Sequence, residues 1–68
     1  MSMNLEVTYR GTKQTVSLSE NATAADLLKQ MNINPETVLV GRNGEIVPES
    51  SPLHKGDTIE LIRTISGG

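Results

Sequence analysis

Chemistry has few places to reside in this chain. It contains no cysteine, which removes thiol nucleophiles, disulfides, iron–sulfur ligation and thiolate zinc sites together. His54 is the sole histidine and stands beside Lys55 in a polar run. A general base needs an orienting partner and a substrate within reach; the sequence supplies neither, so His54 reads as a solvated loop residue. Ser50-Ser51 is accounted for by turn chemistry. The carboxylates are dispersed without metal-ligand spacing, so no metal site is expected. Gly41-Arg42-Asn43-Gly44 lacks the Gly-Lys-Ser/Thr that completes a phosphate loop. Lys13, Lys29 and Lys55 serve solubility, and each offers an amine able to accept an acyl group, with nothing to rank them. What remains is the carboxylate of Gly68, preceded by Gly67. Glycine loses the most backbone entropy on ordering and is poor material for holding structure. It suits a tail that lies extended in a narrow channel, where any Cβ would collide. We therefore expect no catalytic side chain, and a functional group at Gly68.

The rest of the chain must be the handle for that tail. Sixty-eight residues allow one domain, which buries only about 60% of its unfolded-chain surface. No enclosed substrate cavity fits beside so thin a core. Tyr9 is the only aromatic residue, leaving Leu, Ile, Val, Met and Ala to fill the interior. A net charge of −2 with interspersed signs makes no basic stripe, so nucleic acid is not an expected partner. Met1-Ser2-Met3-Asn4 has neither a basic nor an apolar run of the kind that targets a chain for export. No stretch approaches the roughly 20 apolar residues that span a bilayer. The expectation is a cytoplasmic monomer.

Periodicity supplies the elements. Met3–Arg10 alternates apolar and polar, with Leu5 and Val7 inward; Gly11-Thr12-Lys13 turns the chain; and Gln14–Leu18 resumes the alternation, completing a hairpin. Thr23-Ala24-Ala25-Asp26 has the form of a capping box. Ala24, Leu27, Leu28 and Met31 then fall on one face of a helix that ends before Asn34-Pro35. Val38–Val40 and Glu45–Val47 flank Asn43-Gly44, a strong two-residue hairpin signal. Pro48 marks the return strand as a sheet edge. The polar connection 49–55 is expected to hold one helical turn anchored by Leu53. Gly56-Asp57 opens a final strand rich in β-branched residues.

The order ββαββ, loop, β predicts an α+β, β-grasp fold: a mixed sheet of four to five strands with one helix across one face. The last strand is then central and parallel to the first. The expected domain spans residues 1–65, with 66–68 a flexible tail. If Ile59 and Leu61 face the helix, Ile62 faces outward on an uncovered surface. With Leu39 it forms the expected partner-docking surface, extended by Ile65 and Ser66 toward the tail.

The run Val38-Leu39-Val40-Gly41-Arg42-Asn43-Gly44-Glu45-Ile46-Val47-Pro48, followed by Gly56-Asp57-Thr58-Ile59-Glu60-Leu61-Ile62 and Ile65-Ser66-Gly67-Gly68, resembles the ubiquitin-like sulfur carriers. These are the thiamine-pathway carrier (ThiS), the small subunit of molybdopterin synthase (MoaD) and the archaeal small modifiers. The resemblance covers nearly the whole chain, and Ile46-Val47-Pro48 leans toward the thiamine carrier and archaeal members. It implies that a ubiquitin-activating-like enzyme consumes ATP to adenylate Gly68, no cofactor being bound by the chain itself. A sulfur donor or thiol then displaces AMP, leaving a thiocarboxylate or thioester. Three readings stay open: a carrier that hands sulfur to a synthase in thiamine, molybdopterin or tRNA chemistry, a modifier joined through Gly68 to lysines of target proteins, and a plain β-grasp interaction module.

Overall fold

The two hairpins close on turns in which both central residues sit at positive φ, Arg10 (54°) and Gly11 (79°) in one, Asn43 (51°) and Gly44 (89°) in the other. Paired positive φ values give the type I′ geometry whose twist matches that of the flanking strands. In the computed structural model, which describes residues 1–64, the elements are β1 (Ser2–Tyr9), β2 (Thr12–Ser19), α1 (Ala24–Gln30), a 3-10 turn (Pro35–Thr37), β3 (Val38–Arg42), β4 (Glu45–Val47) and β5 (Thr58–Arg63). The first turn is thus Arg10-Gly11 rather than the expected Gly11–Lys13, because the tighter loop lets β2 pair from Thr12 opposite Tyr9.

The sheet order is β2-β1-β5-β3-β4. Strand β5 is central, parallel to β1 and antiparallel to β3, and β4 is an edge. This is the β-grasp arrangement, with five strands and one helix. The expected domain boundary at residue 65 and the tail 66–68 lie outside the described residues.

Alternation on the strands and the 3.6-residue period on α1 bring one set of side chains together. Leu5, Val7, Leu27, Leu28, Leu53 and Ile59 are the largest fully buried ones, each worth about 1.5–3 kcal/mol of transfer free energy. The helix is closed at both ends. Asp26 N–H donates to Thr23 Oγ1 (3.4 Å) and Thr23 N–H to Asp26 Oδ2 (2.9 Å), a reciprocal capping box. Beyond the helix, Asn32 adopts φ 61°; its N–H donates to Lys29 O (3.1 Å) and that of Ile33 to Leu28 O (2.8 Å), a Schellman closure.

The expected helical turn in the connection 49–55 is absent. The first-turn amides of α1 have no partner within the helix. Ala24 N–H donates to Ser51 O (3.0 Å) and Ala25 N–H to Glu49 O (2.7 Å), so those carbonyls serve the helix start instead of a turn of their own. Leu53 is the anchor as expected, 1% exposed, its N–H donating to Ala22 O (2.9 Å). A 3-10 turn that the periodicity did not announce stands at Pro35–Thr37, capped by Asn34 Oδ1 accepting from Glu36 N–H (2.9 Å). At the opposite edge of the sheet, Gln30 Nε2 donates to Ser17 O (2.7 Å), occupying an outward carbonyl of β2.

Candidate functional site: the open sheet face and the end of β5

Strand β5 sorts its side chains as the pleat requires. Ile59 and Leu61 are buried under α1, while Thr58, Glu60 and Ile62 are exposed on the other face. Ile62 stands opposite Leu39 in the β3–β5 register, and their exposures are 39% and 45%. The expected pair therefore shares one open surface. A third residue belongs with it: Ile46 of β4, 57% exposed, lies opposite Gly41, two positions along β3 from Leu39. Sequence reasoning missed Ile46, although a signal was present. A two-residue turn at Asn43-Gly44 pairs Arg42 with Glu45 and Gly41 with Ile46, which puts Ile46 on the parity of Leu39.

The end of β5 is tied down. Arg63 stands opposite Val38, and Thr64 N–H donates to Thr37 O at 2.9 Å. The chain thus passes the 3-10 turn at residue 64, two positions beyond Ile62. Ile65, Ser66, Gly67 and Gly68 lie outside the described residues.

The start of β5 is held by a polar cluster that sequence reasoning saw only as a turn. Asp57, 7% exposed, is the one buried charged residue among those described. Its Oδ2 accepts from Arg42 Nε (2.7 Å) and from the His54 N–H (2.7 Å), and its Oδ1 from Asn43 Nδ2 (3.0 Å). Asn43 also receives the Thr58 N–H on Oδ1 (3.0 Å). Burial by itself pushes the Asp57 carboxyl up, but the Arg42, His54 and Asn43 hydrogen bonds and the Arg42 charge outweigh it and hold the group below its ordinary value. The cluster bolts the β3–β4 turn to the loop before β5. Both carboxylate oxygens are engaged in holding these donors together.

The remaining candidates stay apart from the Leu39, Ile46 and Ile62 patch, Lys13 lying on β2 at the far edge of the sheet. His54 is exposed and joins the cluster through its main chain, not its imidazole. Lys13 Nζ lies 3.0 Å from Glu6 Oε1 on the exposed sheet surface. Lys29 is exposed on α1 and Lys55 in the loop before β5. The depression beside α1 that includes Asn21, Asp26 and Lys29 holds no acid–base pair, because Asp26 is committed to the capping box. Among the described residues no three or more His, Cys, Asp or Glu gather as metal ligands, and no helix is long and apolar enough to cross a membrane.

Comparison with known proteins converges on one group. Residues 5–68 match the ThiS family model. The chain is 30% identical over 56 residues to the sulfur carrier protein TtuB of Thermus thermophilus, an alignment covering 82% of this chain and 86% of that one. Among solved structures, the thiamine biosynthesis protein ThiS of Geobacter metallireducens superposes with a TM-score of 0.71 at 30% identity, covering 97% of this chain and 100% of that one. The ubiquitin of Caldiarchaeum subterraneum superposes with a TM-score of 0.73 at 18% identity, each chain fully covered, a likeness of fold alone. With a family match that takes in β1 from Leu5, all of the other four strands and the sequence to residue 68, the chain belongs to the ThiS family of ubiquitin-like proteins.

Proposed function

We propose that this protein is a sulfur carrier whose working group is the Gly68 carboxylate, and that it acts as a substrate of partner enzymes rather than as a catalyst. The observation that carries the reading is the family match continuing through the Gly67-Gly68 end, in a chain whose described side chains hold no reactive pair. The printed role of the Thermus relative, a sulfur carrier, supports it.

A carboxylate is a poor acyl donor until one oxygen becomes a leaving group. In the proposed sequence a Gly68 oxygen attacks the α-phosphorus of ATP held by an adenylating enzyme, and pyrophosphate departs. Hydrosulfide then attacks the carbonyl carbon of the mixed anhydride, the C–O bond to AMP breaks, and AMP leaves with its electron pair. The product is a thiocarboxylate, with no change of oxidation state in the sulfur. This chain contributes reach and docking. Four residues beyond Thr64 span at most about 14 Å, so the open face of β3, β4 and β5 must sit close to the nucleotide when the acyl carbon arrives there.

The test is incubation with the cognate adenylating enzyme, ATP and sodium sulfide, followed by intact mass. Exchange of one oxygen for sulfur supports the carrier. A Thr-Ile-Ser-Gly-Gly remnant on lysines of other proteins after trypsin, which cuts this chain last at Arg63, with no sulfur gained, replaces it with the modifier. Ile62→Arg is expected to fold normally, as exposed substitutions change stability by only about 0.5 kcal/mol. It is expected to raise the KM of the enzyme for this protein by about tenfold, the equivalent of half-burying an Ile side chain. An unchanged KM removes Ile62 from the docking surface.

A further inference from the structure

Of the five asparagines, Asn4, Asn21, Asn32 and Asn34 precede Leu5, Ala22, Ile33 and Pro35, and Asn43 alone precedes a glycine, Gly44. The following residue matters because its main-chain nitrogen can attack the asparagine carboxamide. The nitrogen bonds to Cγ, its proton leaves with the departing ammonia, and a succinimide ring closes. Water then opens the ring at either carbonyl, giving aspartate or isoaspartate, with no change of oxidation state. A side chain on the following residue crowds that nitrogen, and proline has no N–H to lose. Glycine leaves the nitrogen bare, and both Asn43 and Gly44 are exposed to water.

The fold holds this reactive pair shut in two ways. Ring closure needs Cβ and the Gly44 nitrogen eclipsed about the Cα–C bond, a ψ of about −120° for an L-residue, whereas a type I′ turn sets about +30° there. The Arg42–Glu45 and Gly41–Ile46 pairings on either side of the turn hold it in that form. The carboxamide is also committed at both ends: Oδ1 accepts the Thr58 N–H (3.0 Å) and Nδ2 donates to Asp57 Oδ1 (3.0 Å). The Asn43 N–H itself donates to Thr58 O (2.8 Å). Swinging Cγ onto the Gly44 nitrogen breaks the turn and strips a donor from a buried carboxylate.

The product does not fit where the asparagine stood. Nδ2 is replaced by oxygen, so a second carboxylate confronts Asp57, which is only 7% exposed. Two carboxylates at that range disfavour each other's ionised form. Isoaspartate also routes the main chain through Cβ, lengthening a two-residue turn whose register is set by its length.

We propose that Asn43-Gly44 is a fold-gated modification site: the native turn suppresses succinimide formation, unfolding releases it, and the resulting aspartate or isoaspartate keeps the Asp57 cluster from re-forming. Water is the only co-reactant. Prolonged unfolding thereby becomes irreversible, whatever the fate of the terminal carboxylate.

The test holds the full-length protein at one temperature in mildly alkaline buffer, with and without urea sufficient to unfold it by circular dichroism. Tryptic peptide 43–55, released after Arg42 and Lys55, reports exchange of NH for O, and isoaspartyl methyltransferase labels the isoaspartate; a zero-time digest corrects for conversion during digestion. Conversion at Asn43 is expected to be at least about tenfold slower in the folded protein, since two hydrogen bonds and the turn must open first. In urea, Gly44→Ala is expected to slow it. Asn43→Asp is expected to melt at least about 4–8 °C below the wild type, and below Asn43→Gly, which loses the same side-chain hydrogen bonds without adding charge. Equal rates with and without urea overturn the proposal, and this comparison requires no variant to fold. Conversion in urea that falls on the other asparagines instead of Asn43 also overturns it, as does an Asn43→Asp protein that melts with the wild type.

Discussion

Removing Gly68 is expected to abolish ATP-dependent activation and every thiocarboxylate product, while the melting temperature stays where it was. The truncated chain still ends in a carboxylate, that of Gly67, so the loss is one of position rather than of functional group. Each residue contributes about 3.3–3.6 Å of reach, and a displacement of about 1 Å between reacting groups already costs about a hundredfold. A docked protein whose acyl carbon stops a whole residue short cannot meet the α-phosphorus. Stability is indifferent because the described core lies entirely between Met3 and Leu61, and the last described backbone tie is made by Thr64. Pyrophosphate exchange and a thermal melt on the same preparations check both halves. Exchange persisting in the truncated chain excludes Gly68 as the activated group. A large fall in melting temperature shows that the residue packs against the fold.

Asp57→Ala should have the opposite profile, a large loss of stability with the terminal carboxylate untouched. The substitution strands a guanidinium, a main-chain N–H and a side-chain amide that now share one carboxylate. Removing one member of a buried, hydrogen-bonded ion pair costs about 3–5 kcal/mol. The Arg42 side chain keeps 30% of its exposure and can turn to water, so the lower end, about 3 kcal/mol, is the expectation. For a domain of this size each kcal/mol moves the midpoint by about 4–8 °C, so Asp57→Ala should melt roughly 12–24 °C below the wild type. The same cluster predicts a pH dependence. The Asp57 carboxyl titrates below its ordinary value in the folded state. Its contribution is therefore present above the unfolded value of about 3.9 and is lost as the pH falls through the folded one. Thermal melts from neutral pH into strong acid should show a steeper decline for the wild type than for Asp57→Asn, which has no proton to gain. Parallel declines would show that other carboxylates govern acid unfolding.

The contrast between these two sites matches what was legible from residue order. Local devices announced themselves: the Asn43-Gly44 turn, the Thr23–Asp26 capping box and the alternation of Ile59 and Leu61 each involve residues within a few positions. The open face follows from parity, which alone puts Ile62 and Leu39 together. The Asp57 cluster was not visible, because its side-chain partners lie 14 and 15 positions away and each has a sufficient local account. Asn43 makes a turn, Arg42 ends a strand, Asp57 follows a glycine. Only the sheet order brings them together. The connection 49–55 was misjudged for a related reason. Its carbonyls are spent on the amides of a helix some 25 residues earlier, a demand that local propensity does not register.

The central position of β5 also decides when the protein can exist. The β1–β2 and β3–β4 hairpins share no pairing with each other; β5 alone bridges them, to β1 on one side and β3 on the other. Until residues 58–63 are available, a nascent chain holds two isolated hairpins, each marginal in water, and a helix whose apolar face has only half a sheet to cover. Folding must wait for residues 58–63 to be synthesised, and its decisive contacts are long-range ones. A chain terminated before residue 58 is then left open to proteases instead of forming a stable partial fold. Placing the bridging strand after both hairpins makes successful folding a certificate that the message was read through residue 63.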